Sequence, residues 1–118
     1  MKVYHGILVD KSLINQNVIS NLKVIGKKKS GSWTLIKIEI EEKHLDKVIK
    51  LLQKYMSDDK FYFHIYGNDD LIAVFKDKVF KMKTDKSTWK DAVEYGKILG
   101  IPTKQLYFYP FNLEDEEF

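Results

Sequence analysis

Residues 61–75 hold two short segments that are apolar or aromatic on both sides of a two-residue repeat. In Phe61-Tyr62-Phe63-His64-Ile65-Tyr66, an extended chain puts Phe61, Phe63 and Ile65 on one side and Tyr62, His64 and Tyr66 on the other. Leu71-Ile72-Ala73-Val74-Phe75 divides in the same way, with Leu71, Ala73 and Phe75 opposite Ile72 and Val74. The turn signal Gly67-Asn68-Asp69-Asp70 between them makes the two strands neighbours. A sheet built on such strands needs cover on both faces, because soluble monomers rarely leave more than roughly a few hundred Å² of contiguous apolar surface wet.

Three kinds of cover satisfy that need. The last helix or the aromatic C-terminal stretch closes the second face within one chain, or a symmetric homodimer buries it. In the third case the face binds a base or another planar ligand by stacking, as the sheets of RNA-recognition modules do. The candidate partner- or ligand-binding residues are therefore Tyr62, His64, Tyr66, Ile72 and Val74, with Trp33 beside them.

The rest of the chain supplies the other layers. Lys2–Asp10 alternates as a strand, with Val3, His5, Ile7 and Val9 opposite Tyr4, Gly6 and Leu8. Ser12–Asn21 has a weak helical pattern through Leu13, Val18 and Ile19, diluted by asparagines. Lys23–Lys29, the turn Ser30-Gly31-Ser32 and Trp33–Glu41 predict a hairpin whose returning strand buries Ile36, Ile38 and Ile40. Glu42–Met56 is the strongest helix, with Leu45, Val48, Ile49, Leu52 and Met56 on one stripe. Lys60–Tyr66, Leu71–Lys76 and Val79–Lys83 make a meander.

A final helix starts near Asp85–Thr88 and ends at Gly100, with Trp89, Ala92, Val93, Gly96 and Leu99 inward. Gly96 implies close approach of that helix to the sheet, under Trp33 or Trp89. A short turn over Ile101–Gln105 and a packed stretch Tyr107–Phe111 follow. Runs of adjacent strands rather than strict strand–helix alternation predict an α+β fold, an antiparallel sheet with helices mainly on one face. The β-α-β-β-α-β order of Lys2–Tyr66 suggests a ferredoxin-like arrangement. A length of 118 residues suits a single domain over residues 1–113, followed by an acidic tail at residues 114–118.

Composition narrows the chemistry. The chain has no cysteine, which removes disulfides, thiolate nucleophiles and cysteine metal sites together. Its histidines, His5, His44 and His64, have no metal-ligand spacing, so neither a metal nor a cofactor is expected. With no hydrophobic leader or membrane-length apolar run, a cytoplasmic location is expected. All 20 basic residues are lysine, and the hairpin cluster Lys27, Lys28 and Lys29 is the candidate contact for phosphate or an acidic partner. A solvated lysine face is the plainer explanation. His64 with Asp69 or Asp70 would make an acid–base pair, against turn aspartates that bond their own backbone.

The stretches DDLIAVFKDKVFKM (Asp69–Met82) and DKSTWKDAVEYGKILGIPTKQLYFYP (Asp85–Pro110) resemble a group of small, uncharacterised prokaryotic proteins. That resemblance implies no activity and transfers no functional residue. The residues point first to a non-enzymatic binding or regulatory module that self-associates as a dimer through its aromatic sheet face. The alternatives are a nucleic-acid-associated module using lysines and exposed aromatics, and a small enzyme with a His/Asp pair.

Overall fold

The computed structural model describes residues 2–12, 16–57, 61–102 and 106. Alternating β-branched and aromatic positions form six strands: β1 (Val3–Val9), β2 (Lys23–Ser30), β3 (Trp33–Glu41), β4 (Tyr62–Gly67), β5 (Asp70–Phe75) and β6 (Val79–Lys83). They make one antiparallel sheet in the order β2-β3-β1-β4-β5-β6. Helix α1 (Leu45–Tyr55) links β3 to β4, and α2 (Lys90–Ile98) follows β6. The fold class is α+β.

Register decides what each face carries, since directly paired residues project to the same side. Tyr4, Gly6 and Leu8 pair with Ile40, Ile38 and Ile36, and Gly6 also pairs with Ile65. Across β4 and β5, Ile65 pairs with Ile72 and Phe63 with Val74. These residues form one core with Ile49 and Leu52 of α1 and the following Met56. On the opposite face Tyr66, Leu71, Ala73, Phe75 and Met82 pack with Trp89, Ala92, Ile101 and Leu106.

The two helices therefore cover opposite faces, which corrects the expectation of helices mainly on one face. The cause is the doubly apolar character of β4 and β5, which one helical layer cannot cover. Ile72 and Val74 likewise leave the aromatic face to which they were assigned and lie beneath α1. The sheet as a whole differs from the suspected ferredoxin-like arrangement in size and in its first crossover. The sheet has six strands rather than four, and the described residues of its first crossover form 3-10 turns at Asp10–Ser12 and Gln16–Asn21. Residues with short polar side chains, abundant there, favour turns over helix.

Two joints hold the second layer in place. Asn68 and Asp69 have φ of 54° and 64°, the two-residue reversal that matches strand twist in a tight hairpin. At the end of α2, Gly100 has φ +91°, with Gly100 N–H donating to Lys97 O and Ile101 N–H to Gly96 O, each at 3.0 Å. This left-handed cap turns Ile101 back into the core. Gly96 sits close to Leu106 rather than under Trp33 or Trp89, so its close approach is to the chain beyond the helix. The turn over Ile101–Gln105 lies mostly outside the described residues, and the Tyr107–Phe111 stretch and the acidic residues 114–118 lie wholly outside them.

Candidate functional site

The residues expected to bind form a closed row on the α2 face of the sheet. Tyr66 is 0% and His64 7% exposed, and Tyr62 is half-buried. Tyr66 lies between two histidines: His64 stacks on it with ring centroids 5.2 Å apart, and His5 meets it edge-on at 6.2 Å. Tyr62 packs against Phe75 at 5.4 Å, and burial raises its hydroxyl pKa. Lys37, also on this face, is only 5% exposed, and none of these polar residues lacks a partner. The uncovered aromatic front that a dimer or a stacked base would use is therefore closed within one chain. Trp33 is half-buried against Phe61, edge to face at 6.1 Å.

The structure does not bring the other sequence candidates together. His64 pairs with Ala73 on the α2 face, whereas Asp70 shares the phase of Ile72 on the α1 face. His64 and Asp70 point to opposite sides of the sheet, so they form no acid–base pair. Lys27, Lys28 and Lys29 are exposed on edge strand β2, opposite Ile36, Leu35 and Thr34. Successive strand residues alternate faces, so the three make no single phosphate-tracking surface. Among the described residues, no group of three or more histidine or acidic side chains is placed to hold a metal ion. No helix among them is long and apolar enough to cross a membrane.

A different cleft gathers polar groups. It lies at the β6 edge of the sheet, chiefly on the α1 face, with a volume of about 340 Å³, and is lined by Tyr4, Leu45, Asp70, Ile72, Lys81, Met82, Lys83 and Thr88. The Tyr4 hydroxyl donates to Asp70 Oδ2 at 3.2 Å, and Lys83 Nζ donates to Asp70 Oδ1. The Lys83 hydrogen bond holds the Asp70 carboxyl below its ordinary range and raises the Lys83 ammonium pKa in return. Burial, then the charge of Asp70, raises Tyr4. Thr88 fixes the rim, its Oγ1 accepting from Lys83 N–H at 3.0 Å and donating to Asp85 O at 2.7 Å.

Sequence reading missed this site because Tyr4 and Asp70 are 66 residues apart and meet only through the pairing of β1 with β4. One local signal was present. A two-residue reversal at Asn68-Asp69 would have paired Gly67 with Asp70 and placed Asp70 in phase with Ile72.

A second groove of about 590 Å³ runs beside α1, with Leu22, Ile40, Val48 and Leu51 among its lining. Its charges largely cancel: Lys23 pairs with Glu39 at 2.6 Å, and Glu41 meets Lys43 at 3.4 Å and His44 at 3.9 Å. No known protein family, curated protein or solved structure matches the chain.

Proposed function

We propose that this protein is a small non-enzymatic binding module whose ligand sits in the Tyr4–Asp70–Lys83 cleft. The observation that carries this reading is the convergence of a hydroxyl, a carboxylate and ammonium groups on a concave site with an apolar wall. A few placed polar groups in a mostly apolar concavity are the usual makeup of a small-molecule site. The volume, about 340 Å³, lies at the small end of the range for such sites, roughly 300–1,000 Å³. Separation of His64 from Asp70 supports the non-enzymatic part.

Self-association through the aromatic face and base stacking on it are competing readings, and both require Tyr62, His64 and Tyr66 to leave their present packing. A ferredoxin-like arrangement of the first four strands is a further proposal, supported by their neighbour order β2-β3-β1-β4. Membership of a group of small prokaryotic proteins and a cytoplasmic site of action are likewise proposals, supported by the sequence resemblance and composition described above.

The test is a backbone-amide NMR titration with small molecules of matched shape and differing charge, run beside light scattering on a sizing column. Saturable shifts confined to Tyr4, Leu45, Ile72 and Lys81–Thr88, on a monomeric protein, are expected. Shifts that gather instead in the Leu22–Leu51 groove, or no saturable shifts at all, would overturn the cleft reading. A dimer that dissociates on Tyr62→Ala would favour self-association.

A further inference from the structure

The strand edge beside the cleft points to a ligand class, an inference that rests on the cleft being the binding site. Charge does not choose the ligand, because Lys2, Lys81 and Lys83 stand against Glu42, Asp69 and Asp70. Backbone hydrogen-bonding capacity does. β6 is an end strand of the sheet, paired on one side only. Phe75 N–H donates to Lys78 O, and from that bonded pair onward the residues of β6 alternate between facing β5 and facing outward. Phe80 and Met82 bond to β5, whereas the N–H and C=O of Val79, Lys81 and Lys83 point away from it. The chain itself satisfies the last of these: Lys83 N–H donates to Thr88 Oγ1 at 3.0 Å, and Lys83 O accepts from Trp89 Nε1 at 2.9 Å. The outward groups of Val79 and Lys81 have no such partner among the described residues.

We propose that the cleft takes one apolar side chain of an uncharged, extended peptide that adds to β6 as a seventh strand. Main-chain bonds then supply affinity and the cleft supplies specificity. Thr88 and Trp89 close the edge at Lys83, so the peptide pairs antiparallel with Val79–Lys81. Its residue opposite Lys81 exchanges both backbone hydrogen bonds and projects to the same face as Lys81, the face of Ile72. That side chain lies on Leu45 and Ile72, and about 340 Å³ is room for one large group. The balanced charges of the rim suit a segment without charge. A second copy of the chain meets the edge less well. Its own β6 would set Val79 opposite Lys81, a side chain already packed in its α1 core, and leave the cleft empty. The other end strand, β2, carries a bulge between Val24 and Gly26 that interrupts the ladder a partner needs.

The probe is the blocked peptide acetyl-Thr-Thr-Leu-Thr-Thr-amide, read by amide hydrogen exchange and amide shifts. In the free protein the amides of Phe80 and Met82 are expected to exchange slowly and those of Val79 and Lys81 fast. The peptide should slow Val79 and Lys81 and shift Leu45 and Ile72. Replacing its leucine with alanine should weaken binding at least about tenfold, through lost apolar burial. N-methylation of that leucine removes the donor to Lys81 O and should weaken binding at least about tenfold as well. Lys81→Pro should do the same, since an edge strand tolerates proline where its N–H faces outward. The methylated peptide makes the same test on the unaltered protein.

Shifts at Leu45 and Ile72 without protection of Val79 and Lys81 would overturn strand addition while leaving the cleft as the site. So would equal binding of the methylated peptide. Protection gathered at Lys27 and Lys29 on β2, or protection of Lys81 that needs no peptide and is lost on dilution, would also overturn the proposal, the latter in favour of a second copy. Failure of the peptide to bind overturns it too, and the small-molecule titration then decides whether the cleft reading falls with it.

Discussion

Asp70 shows how one side chain ties distant parts of the chain together. Its carboxylate joins the first strand through Tyr4 and the last strand through Lys83, across a sheet edge where its side chain is 32% exposed. Half-exposed ion pairs contribute little, and at its buried end this carboxylate also accepts a hydrogen bond from the uncharged Tyr4 hydroxyl. Asp70→Asn should therefore cost about 1 kcal/mol near neutral pH. The direction of the pKa fixes the pH dependence. Because the folded protein holds this carboxyl below its ordinary range, its contribution is complete above the unfolded value and lost as pH falls through the folded one. Urea midpoints of wild type and Asp70→Asn should thus differ at neutral pH and converge below about pH 4. A gap that persists into acid would mean the asparagine disturbs packing rather than charge.

At the scale of elements, α2 is held by its contact with the chain that follows it. A Cβ on Gly96 would lie 2.5 Å from Leu106 Cδ2 and 3.0 Å from Cδ1. Gly96→Ala gains about 1 kcal/mol of helix propensity, but the overpacking costs about 1–3 kcal/mol, with Leu106 only 4% exposed. A net loss near 1 kcal/mol is expected in urea denaturation, reversing to a gain when Gly96→Ala is made in a Leu106→Ala background. A stabilising Gly96→Ala in the wild-type background would show that close contact does not require the glycine.

Elements of this kind were legible in the sequence where the signal was local. The α1 stripe, the hairpin and the glycine stop of α2 all rest on spacing or turn chemistry within a few residues. The phase of one strand against the next was not legible. Leu71, Ala73 and Phe75 were separated correctly from Ile72 and Val74, but which set joined Tyr62, His64 and Tyr66 depends on the register across the Asn68-Asp69 turn. The cleft was lost for the same reason, since half of it comes from β1.

For the molecule as a whole, one sheet serves two cores. The α1 core and the α2 core share β4 and β5, whose alternate side chains belong to different clusters. A strand cannot lose one face and keep the other, because its ladder hydrogen bonds are common to both. The two cores should therefore unfold together, as small single domains usually do. Ile38 lies in the α1 core with 0% exposure, and Trp89 in the α2 core with 4%. Ile38→Val, which costs about 0.5–1.5 kcal/mol, should shift the Trp89 fluorescence midpoint as far as it shifts the far-ultraviolet circular dichroism midpoint. The comparison is made in a Trp33→Phe background, so that the emission reports the opposite face alone. Two separated midpoints, with Trp89 insensitive to the substitution, would show that the faces melt independently and that the shared strands do not couple them.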